Sequence, residues 1–256
     1  MNGTVLEVKD LTVRFDNSTV LEGVNLEVNQ GDVVGIVGPN GGGKTTLLNA
    51  ILGNVPAATG SIRLFGQDIS EFKEFERVGY VSQNAIQFDP IFPATVREIV
   101  ALGCVRRSNM GRLLKASDWE DVDSAIKTVG LSGLADRKIS ELSGGQKQRI
   151  FIARALVKKP RLLILDEAAA GLDICIQDQF VQILRHLRSK EEMTILTVSH
   201  DLSGVMCQAN KLAVVNRKVY VTDITPTTDP TPILREAYGH HFTFIFHHDH
   251  ESCQGI

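Results

Sequence analysis

Long apolar runs, clustered cysteines and an excess of basic charge are all missing from this 256-residue sequence. Its longest apolar runs have four residues, whereas a membrane-spanning helix needs about 20, so we expect no span. Four scattered cysteines favour free thiols in a reducing compartment. Residues 1–15 lack the apolar block of a signal peptide, which predicts a cytosolic protein. With 27 Lys and Arg against 30 Asp and Glu, nucleic-acid binding as the main role is disfavoured.

The order of strand and helix patterns predicts an α/β fold. Period-two alternation within residues 6–15 and 24–28 predicts antiparallel strands near the N-terminus. Short apolar strands such as residues 162–165 alternate with helical patterns further on. The middle of the chain is mostly helical. We therefore expect a mainly parallel sheet with antiparallel strands near the N-terminus.

The composition changes after Tyr220. Threonine and proline dominate residues 225–232, which predicts a main domain over residues 1–222 and a linker with a short tail over 223–256. Five of the seven histidines lie in this tail, at His240, His241, His247, His248 and His250. Zn²⁺ favours such ligands, so a low-affinity metal-binding segment and a solvated tail with incidental histidines are competing interpretations.

A glycine-rich loop between a predicted strand and a predicted helix carries the most specific local motif. It matches the pattern G-x-x-x-x-G-K-[ST] with Gly38, Pro39, Asn40, Gly41, Gly42, Gly43, Lys44 and Thr45. Backbone N–H groups of such a loop surround phosphate oxygens, and glycine permits the backbone angles involved. We expect Lys44 to reach the β- and γ-phosphates and Thr45 to hold Mg²⁺, with Thr46 as a further binding residue. The motif alone leaves kinases, GTPases and motor-like ATPases open, although residues 210–213 lack a guanine-specific NKxD.

Two carboxylates follow another apolar strand. Asp166 and Glu167 come directly after residues 162–165, at the strand end where α/β sheets bind ligands. Asp166 is suited to Mg²⁺, and Glu167 is suited to polarising a water molecule. A second glycine-containing turn leads into a helical pattern and contains Ser143, Gly144, Gly145 and Gln146. That turn is either another anion site or a helix start capped by the serine.

The string from Leu142 to Arg149 resembles the signature of ATP-binding-cassette (ABC) ATPases. It lies between the phosphate loop and the acidic strand, in the order that this family uses. The resemblance spans about residues 6–220, most of the chain. It implies a P-loop NTPase (RecA-like) core with an N-terminal antiparallel β subdomain and an inserted α-helical subdomain at about residues 86–159. It also implies that the chain binds ATP and Mg²⁺ and hydrolyses ATP. A stand-alone metabolic kinase would leave the signature string unexplained.

The resemblance also implies roles for single residues. Gln83 matches the glutamine that senses Mg²⁺, the attacking water and the membrane partner, and His200 matches the switch histidine at the γ-phosphate. Asp173 lies in a match to the D-loop, which touches the opposite subunit. Phe15 lies where the family places a ring against adenine, but it also continues an apolar face and could be a core residue. The family pattern is broken at residues 168–170, where three alanines replace proline and threonine or serine.

The resemblance finally implies an assembly. Ser143 and Gly145 of one copy would contact nucleotide held by a second copy in a head-to-tail dimer. Separate membrane permease subunits would dock on the helical region at the cytoplasmic face of the inner membrane, with a solute-binding protein upstream. Residues 88–100 resemble those of zinc- and manganese-type ABC importers. The alternatives are a different solute, or a non-transport ABC ATPase acting on DNA or ribosomes, which usually has two cassettes or a long coiled-coil insertion.

Overall fold

The computed structural model describes residues 3–16, 18–83, 93–106, 109–168, 174–191 and 193–239. The chain separates into two compact units, Met1–Lys73 with Thr194–Ile256, and Glu74–Met193. The second unit contains the region of about 86–159, together with two strands and a further helix outside that region. Within the described ranges, no helix is both long and apolar enough to cross a bilayer.

The strands and helices follow one another in a mixed order. In chain order they are β1 (Thr4–Phe15), β2 (Ser18–Asn29), β3 (Val33–Val37), α1 (Lys44–Ile51), β4 (Thr59–Leu64), β5 (Gln67–Asp68), β6 (Val78–Val81), α2 (Val96–Ala101), α3 (Ala116–Thr128), α4 (Gly144–Leu156), β7 (Leu162–Asp166), α5 (Ile174–Glu191), β8 (Thr194–Val198), α6 (Leu202–Gln208), β9 (Lys211–Asn216), β10 (Lys218–Asp223) and α7 (Thr231–Tyr238).

The first unit contains an antiparallel sheet with the strand order β2-β1-β4-β5. The alternating residues 6–15 belong to the single strand β1. Val8 pairs with Leu26 and Leu11 pairs with Val24, so β1 has one extra residue between these pairs. This bulge returns both Val8 and Leu11 to the buried face, although their spacing of three would otherwise place them on opposite faces.

Four further strands of the first unit lie side by side in the order β10-β9-β3-β8. β3 runs parallel to both β8 and β9, while β10 returns antiparallel to β9. All five residues of β3 are buried, as expected for a central parallel strand covered on both faces. The mainly parallel sheet and the N-terminal antiparallel sheet expected from the sequence are both present.

The second unit combines the parallel pair β6 and β7 with helices α2 to α5. Helix α4 begins at Gly144, earlier than its apolar pattern suggested, because Ser143 caps it. The Ser143 hydroxyl accepts a hydrogen bond from the backbone N–H of Gln146, and the Gln146 side chain accepts one from the Ser143 N–H. This reciprocal capping box satisfies two N–H groups that the helix leaves unpaired.

Helix α7 occupies part of the segment that the composition suggested was a linker. Leu234 and Ala237 are buried, and the Asn216 side chain donates a 2.7 Å hydrogen bond to the carbonyl of Ala237. The helix therefore packs against the strands β9 and β10 of its own unit. Pro232 lies in the first turn, where proline removes no helical hydrogen bond, so proline here marks a helix start. The histidine-rich residues 240–256 lie outside the described residues.

A charged cluster joins the N-terminal ends of β3 and β9. Asp32 is 9% exposed and accepts hydrogen bonds from Lys211 Nζ at 2.8 Å, Asn210 Nδ2 at 2.9 Å and the Asn29 N–H at 2.8 Å. Burial alone would raise the pKa of Asp32, but these three donors outweigh it and hold the pKa below its usual value. The carboxylate is therefore ionised and fully engaged at neutral pH.

We expect Asp32→Ala to lower the free energy of unfolding by about 2–3 kcal/mol at pH 7, because it leaves three donors without their acceptor. The folded-state pKa lies below the unfolded value of about 4, so the stabilisation is present above that pH and is lost as pH falls through the folded-state pKa. Urea denaturation at pH 7 and near pH 3 measures the free energy of unfolding. The difference in this free energy between wild type and variant should be smaller near pH 3 than at pH 7.

The matched control is Glu7→Gln, which breaks an exposed ion pair with Lys9 and should change stability by less than about 0.5 kcal/mol. A variant of Asp32 that is as stable as the wild type at pH 7 would show that the cluster contributes nothing.

Candidate functional site

The glycine-rich loop lies between β3 and α1 in the first unit. Lys44 is the first residue of α1 and is only 6% exposed, and its Nζ donates to the carbonyls of Gly38 at 2.9 Å and Pro39 at 3.0 Å. A Cβ on Gly38 would lie 2.1 Å from the Val215 carbonyl oxygen, so a larger residue does not fit there. The loop is therefore folded tightly around a buried ammonium group.

The start of helix α1 is open to an anion. Its N-cap is Gly43, which has a φ of 103° and offers no side chain to cap the helix. The first N–H groups of a helix have no intrahelical acceptor, and the helix dipole adds positive potential at this end. Thr45 is exposed and Thr46 half-buried on the same turn. Together with Lys44, these groups suit the binding of phosphate oxygens.

The turn between β9 and β10 is hydrogen-bonded to the glycine-rich loop. The Arg217 N–H donates a 2.9 Å hydrogen bond to the Gly42 carbonyl, and the Arg217 carbonyl accepts one from the Glu22 N–H at 2.8 Å. The loop is thereby linked to strand β2 through a single backbone residue. Sequence reasoning missed Arg217, because a backbone contact between residues so distant along the chain leaves no motif.

His200 and Phe15 belong to the same unit as the loop. Ile36 pairs with Val198 across the parallel strands β3 and β8, and the Ser199 N–H donates to the Ile36 carbonyl at 3.0 Å. Gly38 and His200 each lie two residues beyond this pair, so both lie at the carboxyl edge of this sheet. His200 is exposed there. Phe15 is 47% exposed at the end of β1, so it is not a core residue.

The second unit holds the acidic residues. Asp166 ends β7 and is 4% exposed, and the Tyr80 hydroxyl on the neighbouring strand β6 lies 3.3 Å from its Oδ2. Burial, followed by the charge of Asp166 and this hydrogen bond, raises the pKa of Tyr80 to about 12. The tyrosine therefore keeps its proton at neutral pH and donates a hydrogen bond to the carboxylate. Tyr80 carried no signal in the sequence.

Glu167 follows in a left-handed backbone conformation with a φ of 50°, which is uncommon for a residue other than glycine. The Gln83 side chain donates a hydrogen bond from Nε2 to Glu167 Oε2. Gln83 is exposed, and Ala168 after the glutamate is buried. The structure thus brings two of the residues singled out in the sequence, Gln83 and Glu167, into direct contact.

The signature string starts helix α4, also in the second unit. Ser143 and Gly144 are exposed, whereas Gly145 is buried. The serine hydroxyl caps the helix, as the interpretation of this turn as a capped helix start predicted. The start of the helix is exposed, so it can also contact a ligand. Asp173 and the alanines 169 and 170 lie outside the described residues, and so does the region 84–92. Their roles stay predictions.

Comparisons with known proteins agree on one family. The sequence model of the ABC transporter family matches residues 21–170. Over 215 residues the chain is 42% identical to the zinc uptake system ATP-binding protein ZurA of Listeria monocytogenes, covering 84% of each. It is 34% identical over 241 residues to the manganese transport system ATP-binding protein MntB of Bacillus subtilis, covering 94% of each. An ATP-binding cassette of an ABC transporter, MJ1267 in its ADP conformation, has a TM-score of 0.77 at 28% identity, over 86% of this chain and 91% of that one.

The phosphate loop and the α/β architecture define a P-loop NTPase. The strand that ends in Asp166, followed by Glu167, agrees with this class. The family match and the relatives define it further: the chain belongs to the ABC transporter family, as one of its ATP-binding cassettes. It is therefore a nucleotide-binding ATPase, and the resemblance based on the signature string is confirmed.

We expect Lys44→Ala to weaken ATP binding by at least about 10-fold, because a charge-assisted hydrogen bond to phosphate contributes roughly 1.5–3 kcal/mol. Titration with a fluorescent ATP analogue measures the affinity. The control is Lys218→Ala, which removes an exposed lysine from β10 in the same unit and should bind nucleotide normally. Wild-type affinity in Lys44→Ala would contradict the assignment of the loop.

Proposed function

We propose that the chain is the ATP-hydrolysing subunit of an ABC importer for a divalent metal ion, zinc or manganese. The observation that carries this proposal is the similarity, over most of both chains, to ATP-binding proteins named for zinc uptake and manganese transport. The chain supplies the energy and does not itself carry the ion. A cassette acting on DNA or ribosomes is not favoured, since the net charge of -3 offers no general attraction to nucleic acid.

The phosphate loop binds the nucleotide in this proposal. The loop from Gly38 to Gly43 surrounds the phosphates with the backbone N–H groups of its residues other than Pro39, which has none. Lys44 exchanges its loop carbonyls for β- and γ-phosphate oxygens. Thr45 and Thr46 add hydroxyl groups at the start of α1. The exposed ring of Phe15 offers a flat apolar face on which adenine can stack.

Mg²⁺ fits the chemistry of the residues available for it. Asp166 offers a buried carboxylate with a hydrogen-bond donor on one oxygen, and Thr45 and Gln83 offer exposed oxygen ligands. Mg²⁺ prefers oxygen ligands and accepts one or two carboxylates beside the phosphates of its substrate. When bound, the ion neutralises charge that develops on the phosphate oxygens. We assign Asp166, Thr45 and Gln83 to hold it.

Glu167 is the general base in this mechanism. Its carboxylate accepts a proton from a water molecule as that water attacks the γ-phosphorus of ATP, which releases ADP and phosphate. Gln83, whose amide already contacts Glu167, orients the glutamate and the water. His200 donates a hydrogen bond to the γ-phosphate from the edge of the sheet that also carries the phosphate loop. The chain thus needs only to position reactants and stabilise charge.

A second copy of the chain completes the site. Ser143, Gly144, Gly145 and Gln146 at the start of α4 contact the nucleotide held by the phosphate loop of the other copy, and Asp173 contacts the opposite subunit. ATP then links the two copies in a head-to-tail dimer. Hydrolysis weakens this link and the dimer reopens, which is the motion that drives transport.

Membrane permease subunits receive this motion. Five large apolar side chains in a short stretch of the second unit are between 37% and 98% exposed, namely Leu102, Val105, Met110, Leu113 and Trp119. A contiguous patch of exposed apolar side chains is typical of a surface that binds a protein partner, and we propose that these five form one. They fall within the region, residues 86–159, that we assign to docking. The chain accordingly lies at the cytoplasmic face of the inner membrane, with a solute-binding protein on the other side.

We expect Glu167→Gln to bind ATP but to hydrolyse it at least about 100-fold more slowly, because a general base contributes roughly 10²–10⁴ in rate. ATP should then trap the variant as a dimer, which size-exclusion chromatography detects, while phosphate release measures turnover. Glu120→Gln, an exposed glutamate of α3, is the matched control and should behave as the wild type. Unchanged turnover in Glu167→Gln would remove the base from the proposal.

The transported ion requires the complete transporter. We expect Zn²⁺ or Mn²⁺, supplied with the solute-binding protein at constant Mg²⁺, to stimulate ATP hydrolysis by the chain and its permease in liposomes. Stimulation should disappear when Glu167→Gln replaces the wild-type chain. Stimulation by an organic solute and by neither metal ion would overturn the metal assignment and leave the ATPase assignment intact.

A further inference from the structure

Tyr80 and Asp166 occupy one face of the β6–β7 strand pair in the second unit. The strands run parallel, and Tyr80 is directly opposite Ile164. Because alternate residues of a strand point to the same face, Ile164 and Asp166 share the face of Tyr80. This register explains why the Tyr80 hydroxyl reaches Oδ2 of Asp166 on the next strand, at 3.3 Å.

The opposite face of β6 is fixed by helix α4. A Cβ on Gly79 would lie 2.8 Å from the Ala155 carbonyl oxygen of α4 and 3.2 Å from Leu163 on β7. Only glycine therefore permits this close approach of the helix to the strand. Since Gly79 faces α4, the adjacent Tyr80 points to the other side, where it meets Asp166. The tyrosine is thus held by the packing of its own strand.

The chemistry of the pair determines the direction of the hydrogen bond. A carboxylate can only accept, so the tyrosine hydroxyl donates. At 3.3 Å the O···O distance is longer than the usual 2.5–3.0 Å for O–H···O, so the bond is a weak one. Asp166 is 4% exposed, so little water competes with the tyrosine for Oδ2. A donor on Oδ2 favours one rotation about the Cβ–Cγ bond and thereby one direction of both oxygens.

We propose that Tyr80 is a positioning residue that orients Asp166 for Mg²⁺ through its hydrogen bond to Oδ2. This inference rests on the proposed function, in which Asp166 holds the ion. Hydrogen-bond partners of metal-binding side chains typically change metal affinity by about 10- to 100-fold when they are removed. Tyr80 on β6 and Gln83 just after β6 are thus two donors. Tyr80 acts on Asp166 and Gln83 acts on Glu167, the two carboxylates at the end of β7.

The test is Tyr80→Phe in the full-length chain, a change that removes one oxygen atom and keeps the ring. Mn²⁺ replaces Mg²⁺ as an EPR-visible probe, and its binding to the protein–ADP complex is titrated without any hydrolysis. We expect the half-saturating Mn²⁺ concentration to rise about 10-fold, the lower end of the range for such partners. The affinity for fluorescent ADP in EDTA should be unchanged, because this binding does not use Asp166.

Two further variants separate the possible outcomes. Tyr238→Phe removes the hydroxyl of another half-buried tyrosine, in α7, and should bind Mn²⁺ as the wild type does. Asp166→Asn should lose most Mn²⁺ binding. Wild-type Mn²⁺ affinity in Asp166→Asn would contradict the proposed function itself. A strong loss in Asp166→Asn together with wild-type affinity in Tyr80→Phe would overturn the inference about Tyr80 alone.

A purely structural role for Tyr80 predicts a different pattern. Loss of packing would lower the melting temperature and weaken ADP binding in EDTA, with or without the metal ion. Weaker Mn²⁺ binding at unchanged ADP affinity supports the positioning role, whereas equal weakening of both refutes it. Steady-state kinetics adds an independent reading, since the Mg²⁺ concentration for half-maximal turnover should rise while KM for ATP at saturating Mg²⁺ stays constant.

Discussion

The buried ammonium group of Lys44 is the interaction on which the nucleotide site depends. A buried charge without partners would be costly, and the loop supplies two of its own carbonyls as acceptors. This solution keeps the loop folded around the position that phosphate oxygens are to occupy. In the proposed function, binding is an exchange of these carbonyl oxygens for phosphate oxygens, through which the lysine gains a full opposite charge as its partner.

The two adjacent carboxylates in the other unit, Asp166 and Glu167, are likewise each held by a hydrogen-bond partner. Each of two adjacent carboxylates meets one donor from β6 or the residues just after it, Tyr80 for Asp166 and Gln83 for Glu167. Neighbouring carboxylates with different tasks must be held in different orientations, and separate donors achieve this. The left-handed backbone at Glu167 turns its side chain away from the direction that the strand would otherwise give it. Local backbone geometry and side-chain hydrogen bonds thus act together here.

The residues of the ATP site do not identify the transported ion. Hydrolysis uses phosphate-binding and acidic groups, and these are needed whatever the permease carries. In the proposed assembly, the choice of solute belongs to the membrane and binding proteins, and this chain contributes the surface on which the permease docks. Similarity to zinc and manganese ATP-binding proteins therefore informs the substrate through common assembly, not through the chemistry of the nucleotide site.

The sequence by itself determined the class of fold and singled out candidate site residues. A phosphate loop needs glycines and a lysine at fixed spacing, and an acidic strand end needs adjacent carboxylates, so Lys44, Asp166 and Glu167 could be found without coordinates. Only the tertiary structure decided what lies beside them. The register of β6 on β7 places Tyr80 beside Asp166, and a backbone hydrogen bond places Arg217 against the loop. The bulge in β1 and the helix α7 were missed for a related reason: both depend on burial against distant strands, whereas local patterns record only the preferences of neighbours along the chain.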